Sequence, residues 1–180
     1  MCGRYHFDIL PDKKGEQIKQ KAAKLNLVYK QGDIFPGDKV LCIIPYGSKI
    51  DLSVKTWGIR TKSLLINARS ENIQERPTFK HIKNNRCAIL CNGFYEWDKK
   101  KNKYYMSFLE KYMYLACIYN ENNELVIITK EAPKSFVSIH SRCPIIMNQE
   151  EMINYVHGKE IKIIDKELII EKAIEEIEII

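Results

Sequence analysis

Cys2, directly behind Met1, is the residue of this chain whose type and position carry the most chemistry. Removal of Met1 would expose an α-amine titrating near ~7.7–8.0 beside a thiol titrating near ~8.5, so both nucleophiles would be partly available at neutral pH. A 1,2-aminothiol of this kind condenses with aldehydes: the amine forms a Schiff base, and the thiol closes it into a five-membered thiazolidine. No internal cysteine can do this. Taken alone, Cys2 reads equally as a small residue behind a start methionine.

Three polar clusters interrupt otherwise apolar or strand-like sequence: Asn67-Ala68-Arg69-Ser70-Glu71, Gly93-Phe94-Tyr95-Glu96-Trp97 and His140-Ser141-Arg142-Cys143-Pro144. Each has an ordinary reading, as a turn into a helix cap, an exposed strand residue and a helix C-terminal histidine. Period-two alternation through Arg86 to Trp97 places Glu96 on the same face as Ala88, Leu90 and Phe94. A carboxylate on an apolar face has a raised pKa, which suits proton transfer near neutrality. Gly93 marks a possible bulge that would re-aim the residues after it.

The elements that must position these groups follow from patterning. Cys2 to Phe7 reads as extended. Asp12 is a helix N-cap, followed by Ile18, Ala22 and Leu25 at helical spacing. Val40 to Ile44 and Leu52 to Ile59 read as strands, Ile66 to Pro77 as loop, and Phe79 to Lys83 as a short helix. Arg86 to Trp97, Lys103 to Leu109, Met113 to Tyr119 and Leu125 to Thr129 form an antiparallel meander. Pro133 opens a short helix ending near His140, and Cys143 to Met147 is one more buried strand. Asn148 with Glu151 is a capping box, and Gly158 supplies the stop. The tail is read as helix over Lys166 to Ile177. The expected architecture is α+β, a largely antiparallel β-sheet or barrel core with flanking short helices.

With 180 residues and 45% hydrophobic content, the chain is expected to form a single domain, 1–180. No charged stretch leads an apolar run and no segment approaches a membrane span, so the reading is a cytoplasmic protein without a membrane partner. The six cysteines then sit in a reducing compartment as core thiols. Cys87 and Cys91 lack a second pair with ligand spacing, and the four histidines show no His-x-x-x-His pattern, so no metal is expected. No glycine-rich phosphate loop is present, and no cofactor is expected. A net charge of +6 permits a polyanionic partner without requiring one. The lysine-rich run Lys99 to Lys101 with Lys103 reads as a solvated hairpin tip.

Taken in order, Cys2-Gly3-Arg4-Tyr5, Trp57-Gly58, Asn67-Ala68-Arg69-Ser70-Glu71, Gly93-Phe94-Tyr95-Glu96-Trp97 and His140-x-Arg142-x-Pro144 resemble the SOS-response-associated peptidase (SRAP) family of abasic-site processing proteins. Five ordered motifs spanning Cys2 to about Met147 are far more specific than any one of them. The resemblance implies an SRAP-like fold and covalent capture of abasic sites in single-stranded DNA, with Cys2 closing a thiazolidine on the ring-opened deoxyribose. It implies His140 as the acid/base that opens the sugar hemiacetal. Glu96 would shuttle protons beside the new α-amine, and the Asn67 amide would orient amine and sugar oxygens. Arg4, Arg69 and Arg142 are candidates for the flanking phosphates. Trp57 is a candidate for a neighbouring base, with core packing its equal alternative. Action as a monomer, associated with the nucleoid when DNA is damaged, completes the expectation. Cys143 stands where many relatives carry methionine, an exchange that bears on packing more than chemistry.

Two rival functions remain open on sequence. The family name preserves a peptidase, including one limited to autocatalytic removal of Met1, and an N-terminal cysteine whose amine serves as base also describes N-terminal-nucleophile amidohydrolases. A basic module that binds single strands without covalent chemistry is the other; it predicts salt-sensitive binding to intact and abasic strands alike.

Overall fold

The computed structural model describes residues 2–162 and 164–173. The chain opens with β1 (Arg4–Phe7) and α1 (Lys13–Lys24), whose N-cap Asp12 accepts from the Gly15 amide at 2.8 Å. The strands β2 (Gly32–Ile34), β3 (Lys39–Tyr46) and β4 (Lys49–Trp57) follow. A small hairpin, β5 (Ile59–Arg60) with β6 (Leu64–Leu65), leads to β7 (Asn67–Arg69), a 3-10 turn at Ser70–Asn72 and α2 (Pro77–Lys80). The meander comprises β8 (Arg86–Cys91), β9 (Gly93–Trp97), β10 (Lys103–Ser107), β11 (Met113–Tyr119) and β12 (Glu124–Glu131). Last come β13 (Arg142–Pro144), β14 (Ile146–Met147), α3 (Gln149–Val156) and β15 (Ile169–Lys172).

The strands form two main sheets. In the larger, β4, β3, β8 and β11 pair antiparallel in that order, and β12 pairs with both β11 and β4, so the path returns on itself as a barrel. The closing contact, β12 with β4, is parallel, and so is the pairing of β7 on β12. The second sheet has the order β15-β10-β9-β1-β2 and is antiparallel throughout. The largely antiparallel core with short helices expected from patterning is therefore the observed architecture.

One core cluster runs through both sheets, from Tyr5 and Phe7 through Ile89, Leu115 and Ile127 to Met152. α3 carries the capping box read from sequence: the Glu151 amide donates to Asn148 Oδ1 at 2.9 Å, and Glu151 Oε2 accepts from the Asn148 amide at 2.8 Å. Gly58 has φ +117°, and a Cβ there would come within 2.7 Å of Leu64, so only glycine allows the sharp turn from β4 into the small hairpin.

Several expected boundaries shift. The run Arg86 to Trp97 is not one strand. At Asn92 the chain leaves the barrel for the second sheet, and the Asn92 side chain holds the corner by accepting from the Asp8 amide and donating to the Lys111 carbonyl. Gly93 permits the next step, because a Cβ there would lie 2.3 Å from the Tyr105 ring that packs across it. The strand expected over Leu52 to Ile59 breaks at Gly58. The expected loop from Ile66 holds β7 and the 3-10 turn, and the short helix near Phe79 lies at Pro77–Lys80. From Pro133 to His140 the chain makes successive turns rather than a helix, with Val137 and Phe136 amides both donating to the Pro133 carbonyl. The tail expected as helix from Lys166 instead forms β15 on the edge of β10, where β-branched isoleucines and an unpaired sheet edge favour a strand; residues 174–177 of that reading lie outside the described residues.

Candidate functional site

Cys2 hangs from β1, and β1 pairs with β9 with Arg4 opposite Tyr95 and Tyr5 opposite Phe94, so Cys2 and Glu96 each lie within two residues of a paired position. β7 enters from the barrel, where Asn67 lies beside Ile127 in a parallel pairing. The Asn67 side-chain amide donates to the Cys2 carbonyl at 3.0 Å. Trp57 fixes this approach: its indole N–H donates to the Ile66 carbonyl at 3.0 Å, and its ring tilts against Tyr5 at 5.4 Å. Fully buried, Trp57 braces the strand that carries Asn67 and offers no face to a base; of its two sequence readings the geometry supports core packing.

Burial governs the electrostatics. Cys2 is buried, and burial, followed by the nearby Glu96 carboxyl, pushes its thiol far above the ordinary range. Glu96 is 3% exposed, and burial likewise raises its carboxyl pKa, with His140 pulling in the opposite direction. Asn67 Oδ1 is buried without a hydrogen-bond partner among the described residues. An unmet acceptor costs about 1–3 kcal/mol and is most economically explained by a donor that arrives with a ligand. His140 Nδ1 lies 3.0 Å from the Arg142 backbone N–H and 3.2 Å from the Arg142 carbonyl oxygen, so the Arg142 backbone fixes the ring's orientation. Cys2, Asn67, Glu96 and His140, drawn from four separate segments, thus converge; this is a buried acid, an imidazole and an amide around one cysteine.

The arginines divide. Arg69 is exposed at the end of β7. The Arg4 guanidinium lies 4.5 Å from the Phe35 ring centroid, 5.3 Å from Trp97 and 5.8 Å from Tyr95, with Asp33 at 3.9 Å. Burial alone would raise the Asp33 carboxyl, but hydrogen bonds from His6 and Tyr95 outweigh it and the group ends below its ordinary value. Arg142 is engaged internally, making a bidentate pair with Glu71 at 2.7 and 2.9 Å and donating to the Thr129 carbonyl at 2.7 Å. Its guanidinium braces the segment carrying His140 and is not presented for a phosphate. Cys143, next to Arg142 in β13, is buried, and burial pushes its thiol up to about 11.

Sequence reasoning assigned no role to Asp33, Phe35, Glu71, Tyr95 or Trp97. Tyr95 and Trp97 flank Glu96 in a motif already singled out, and their alternation with buried Phe94 and Glu96 was the available signal. Asp33 and Phe35 carried none, since they reach the site only through the pairing of β2 with β1.

The Arg142 hydrogen bond holds the Glu71 carboxyl down to about 2 against an ordinary 4.5. A depressed carboxyl contributes stability that is present above about pH 4.5 and lost as pH falls toward 2. Because the Glu71 side chain is 49% exposed, its worth is discounted to about 1 kcal/mol. Glu71→Gln is expected to destabilise the protein by that amount at neutral pH and to flatten the acid limb of a stability-against-pH curve; an unchanged acid limb in urea titrations would refute the pairing.

A cleft of about 620 Å³ between α1 and α3 touches none of Cys2, Asn67, Glu96 and His140, so chemistry rather than volume marks the site. Among the described residues no group of three or more His, Cys, Asp or Glu side chains is placed to hold a metal ion. No helix among them is long and apolar enough to cross a membrane.

A barrel carrying a second sheet whose first strand presents a cysteine to a buried acid and an imidazole defines a recognisable class of protein. The family model for SOS response associated peptidase (SRAP) matches residues 1–179, and the chain belongs to that family. It is 30% identical over 149 residues to the abasic site processing protein YobE of Bacillus subtilis, covering 71% of this chain and 68% of that protein. It is 31% identical over 186 residues to the abasic site processing protein YoqW of Bacillus phage SPbeta, covering 88% and 81%. A crystal structure of a Bordetella bronchiseptica protein superposes with a TM-score of 0.75 at 15% identity, covering 96% of this chain and 99% of that one. A second, from Bacteroides thetaiotaomicron, gives 0.69 at 19% identity, with 86% and 81% covered. These two structures bear on the fold alone.

Proposed function

We propose that the protein captures abasic sites in single-stranded DNA as a covalent thiazolidine on Cys2 once Met1 is removed. The observation that carries this reading is the convergence of Asn67, Glu96 and His140 on Cys2, and the names of the relatives accord with it.

In the abasic sugar the reacting carbon is masked as a hemiacetal. His140 takes the proton from the anomeric hydroxyl and returns one to the ring oxygen, which opens the sugar to the aldehyde. The Cys2 amine adds to that carbonyl carbon to give a carbinolamine. Glu96, whose carboxyl burial makes more basic, passes a proton to its oxygen and takes one back from its nitrogen as water leaves, and an imine remains. The thiol then adds across the C=N bond: a carbon–sulfur bond forms, and the thiol proton is transferred through Glu96 to nitrogen. Attack by the amine comes first because burial holds the thiol protonated. Asn67 Oδ1 accepts from the incoming amine or sugar hydroxyl. Arg69 meets a flanking phosphate, while Arg4 with Phe35 and Trp97 forms a surface of cation and ring faces on which an adjoining base can stack.

The test is a denaturing gel of the Met1-processed protein with a single-stranded oligonucleotide holding one abasic site. A protein–DNA band surviving heat and detergent, absent with intact DNA, is expected. No band, with turnover of an amide substrate instead, would favour the peptidase reading; salt-sensitive binding to both strands without a band would favour a non-covalent module.

A further inference from the structure

The turn between β9 and β10 lies at the same end of the second sheet as Cys2. β1 and β9 are antiparallel with Arg4 opposite Tyr95, so the chain running back from Arg4 to Cys2 points along β9 toward Trp97 and the turn beyond it. That turn carries Lys99, Lys100 and Lys101, all exposed, and Lys103 opens β10 opposite Trp97. Among the described residues none of the four has a carboxylate within ion-pair distance.

Exposed lysines ordinarily need no partner beyond water. Here, however, the backbone beneath them is fixed. The Asp98 carboxylate accepts from the Lys100 amide at 2.8 Å, the Asn102 amide at 2.9 Å and the Asn102 side chain at 2.8 Å, and the Lys101 amide donates to the Asp98 carbonyl at 3.0 Å. Lys101 has φ +65°, a left-handed conformation that glycine or asparagine adopts at less cost. Either would serve better if the turn only reversed the chain; lysine keeps a third charge on the tip.

The cations continue onto the sheet face. The Lys103 ammonium stands 4.3 Å from the centroid of the Tyr95 ring and the Arg4 guanidinium 5.8 Å from it, so the two charges share one ring. Asp98 and Asp33, the acids set among these cations, are held by hydrogen bonds from their neighbours. Lysines without carboxylate partners, on a preformed turn that leads to rings and cations, suit the successive phosphates of a nucleic acid strand, which positions itself on charge rather than in a closed cavity.

We propose that the β9–β10 turn is a phosphate rail for the strand on one side of the lesion, with Lys99, Lys100 and Lys101 on the outer phosphates and Lys103 on the one nearest Tyr95. The inference rests on the reading of Cys2 as the capturing residue and adds a footprint to it. In the strand order β10-β9-β1-β2 the turn lies to the β10 side of Cys2 and Phe35 to the β2 side, so the rail serves a single flank.

The test uses two single-stranded oligonucleotides carrying a tetrahydrofuran abasic analogue, one with nucleotides only 5′ of it and one with nucleotides only 3′, titrated into the Met1-processed protein by fluorescence anisotropy across a salt series. The combined variant Lys99→Gln, Lys100→Gln and Lys101→Asn is expected to weaken binding of one oligonucleotide at least tenfold at about 0.1 M salt and to lower its log–log salt slope by about 2, at ~0.7 per lost contact. The other oligonucleotide stays within twofold. Lys103→Gln is expected to lower the slope by about 0.7 on the same flank, which keeps the test decisive if the turn variant does not fold. Lys13→Gln, Lys19→Gln and Lys24→Gln together remove equal charge from α1 and should leave both oligonucleotides within twofold. Binding indifferent to the turn and Lys103 variants, equal losses on both flanks, or a loss matched by the α1 variant overturns the proposal. The analogue has no aldehyde and forms no crosslink. A lysine effect without crosslinking of true abasic DNA therefore faults the capture chemistry, and crosslinking without a lysine effect faults the rail.

Discussion

Cys2→Ala is expected to abolish the heat-stable crosslink, a loss on the order of 10³-fold or more, while leaving the fold and an α-amine in place. The alanine variant keeps one of the two nucleophiles. An imine on its own is reversible in water, so the variant should still be trapped by borohydride during incubation and yet show no band after heating. Cys2→Ser is the sharper probe, because oxygen adds to the imine only weakly and the five-membered ring reopens. A serine adduct as durable as that of cysteine would contradict ring closure through sulfur. Failure of borohydride to trap either variant would remove the amine from the mechanism.

Glu96→Gln is expected to slow crosslinking about 10²- to 10⁴-fold, the usual worth of a positioned general acid or base, while making the folded protein more stable. The second half follows from the direction of its pKa shift. Burial raises the Glu96 carboxyl above its ordinary 4.5, so the folded chain holds a proton at pH values where the unfolded chain has released it. Below about 4.5 the group is neutral in both states and costs nothing. As pH rises through the folded value the native state must carry a buried charge, and that cost persists at neutrality. Glutamine removes it. Melting curves should show the variant above the parent at neutral pH, with the gap closing toward pH 4. A variant less stable than the parent at neutral pH would mean that pairing, not burial, dominates Glu96. A destabilised site residue retained for chemistry is the usual trade between stability and activity.

Much of this arrangement was legible in the residues themselves, and the rest shows where local patterning ends. The caps of α1 and α3 depend on side chains within three residues of the amides they serve, so Asp12 and the Asn148–Glu151 box could be read directly. Period-two alternation likewise exposed the meander and the buried face of Glu96. Closure of the barrel could not be read, because it rests on a parallel contact between β12 and β4, whose partners Leu125 and Trp57 are far apart in sequence. The corner at Asn92 was hidden because apolar residues continue on both sides of it while the chain changes sheets. The tail failed for another reason: its isoleucines fit either period, and the unpaired edge of β10 decided between them.

The same dispersion shaped the reading of the candidate site. Its ordered motifs were visible, but the engagement of Arg142 by Glu71 was not, since a guanidinium reads identically in sequence whether it faces a phosphate or a carboxylate 71 residues away. Phe35 and Asp33 came into view only through β2.

β7, which brings Asn67 to Cys2, is paired with β12 from far later in the chain, and this bears on the life of the newly made protein. During synthesis the amino end emerges first and the segments bearing Glu96 and His140 long afterwards, so a ribosome-bound chain holds the cysteine without its helpers. Distant pairings of this sort form late and slowly, on millisecond-to-second scales. On the proposed mechanism the aminothiol until then meets aldehydes only at the rate of any free N-terminal cysteine, and fast capture would arrive together with the completed fold.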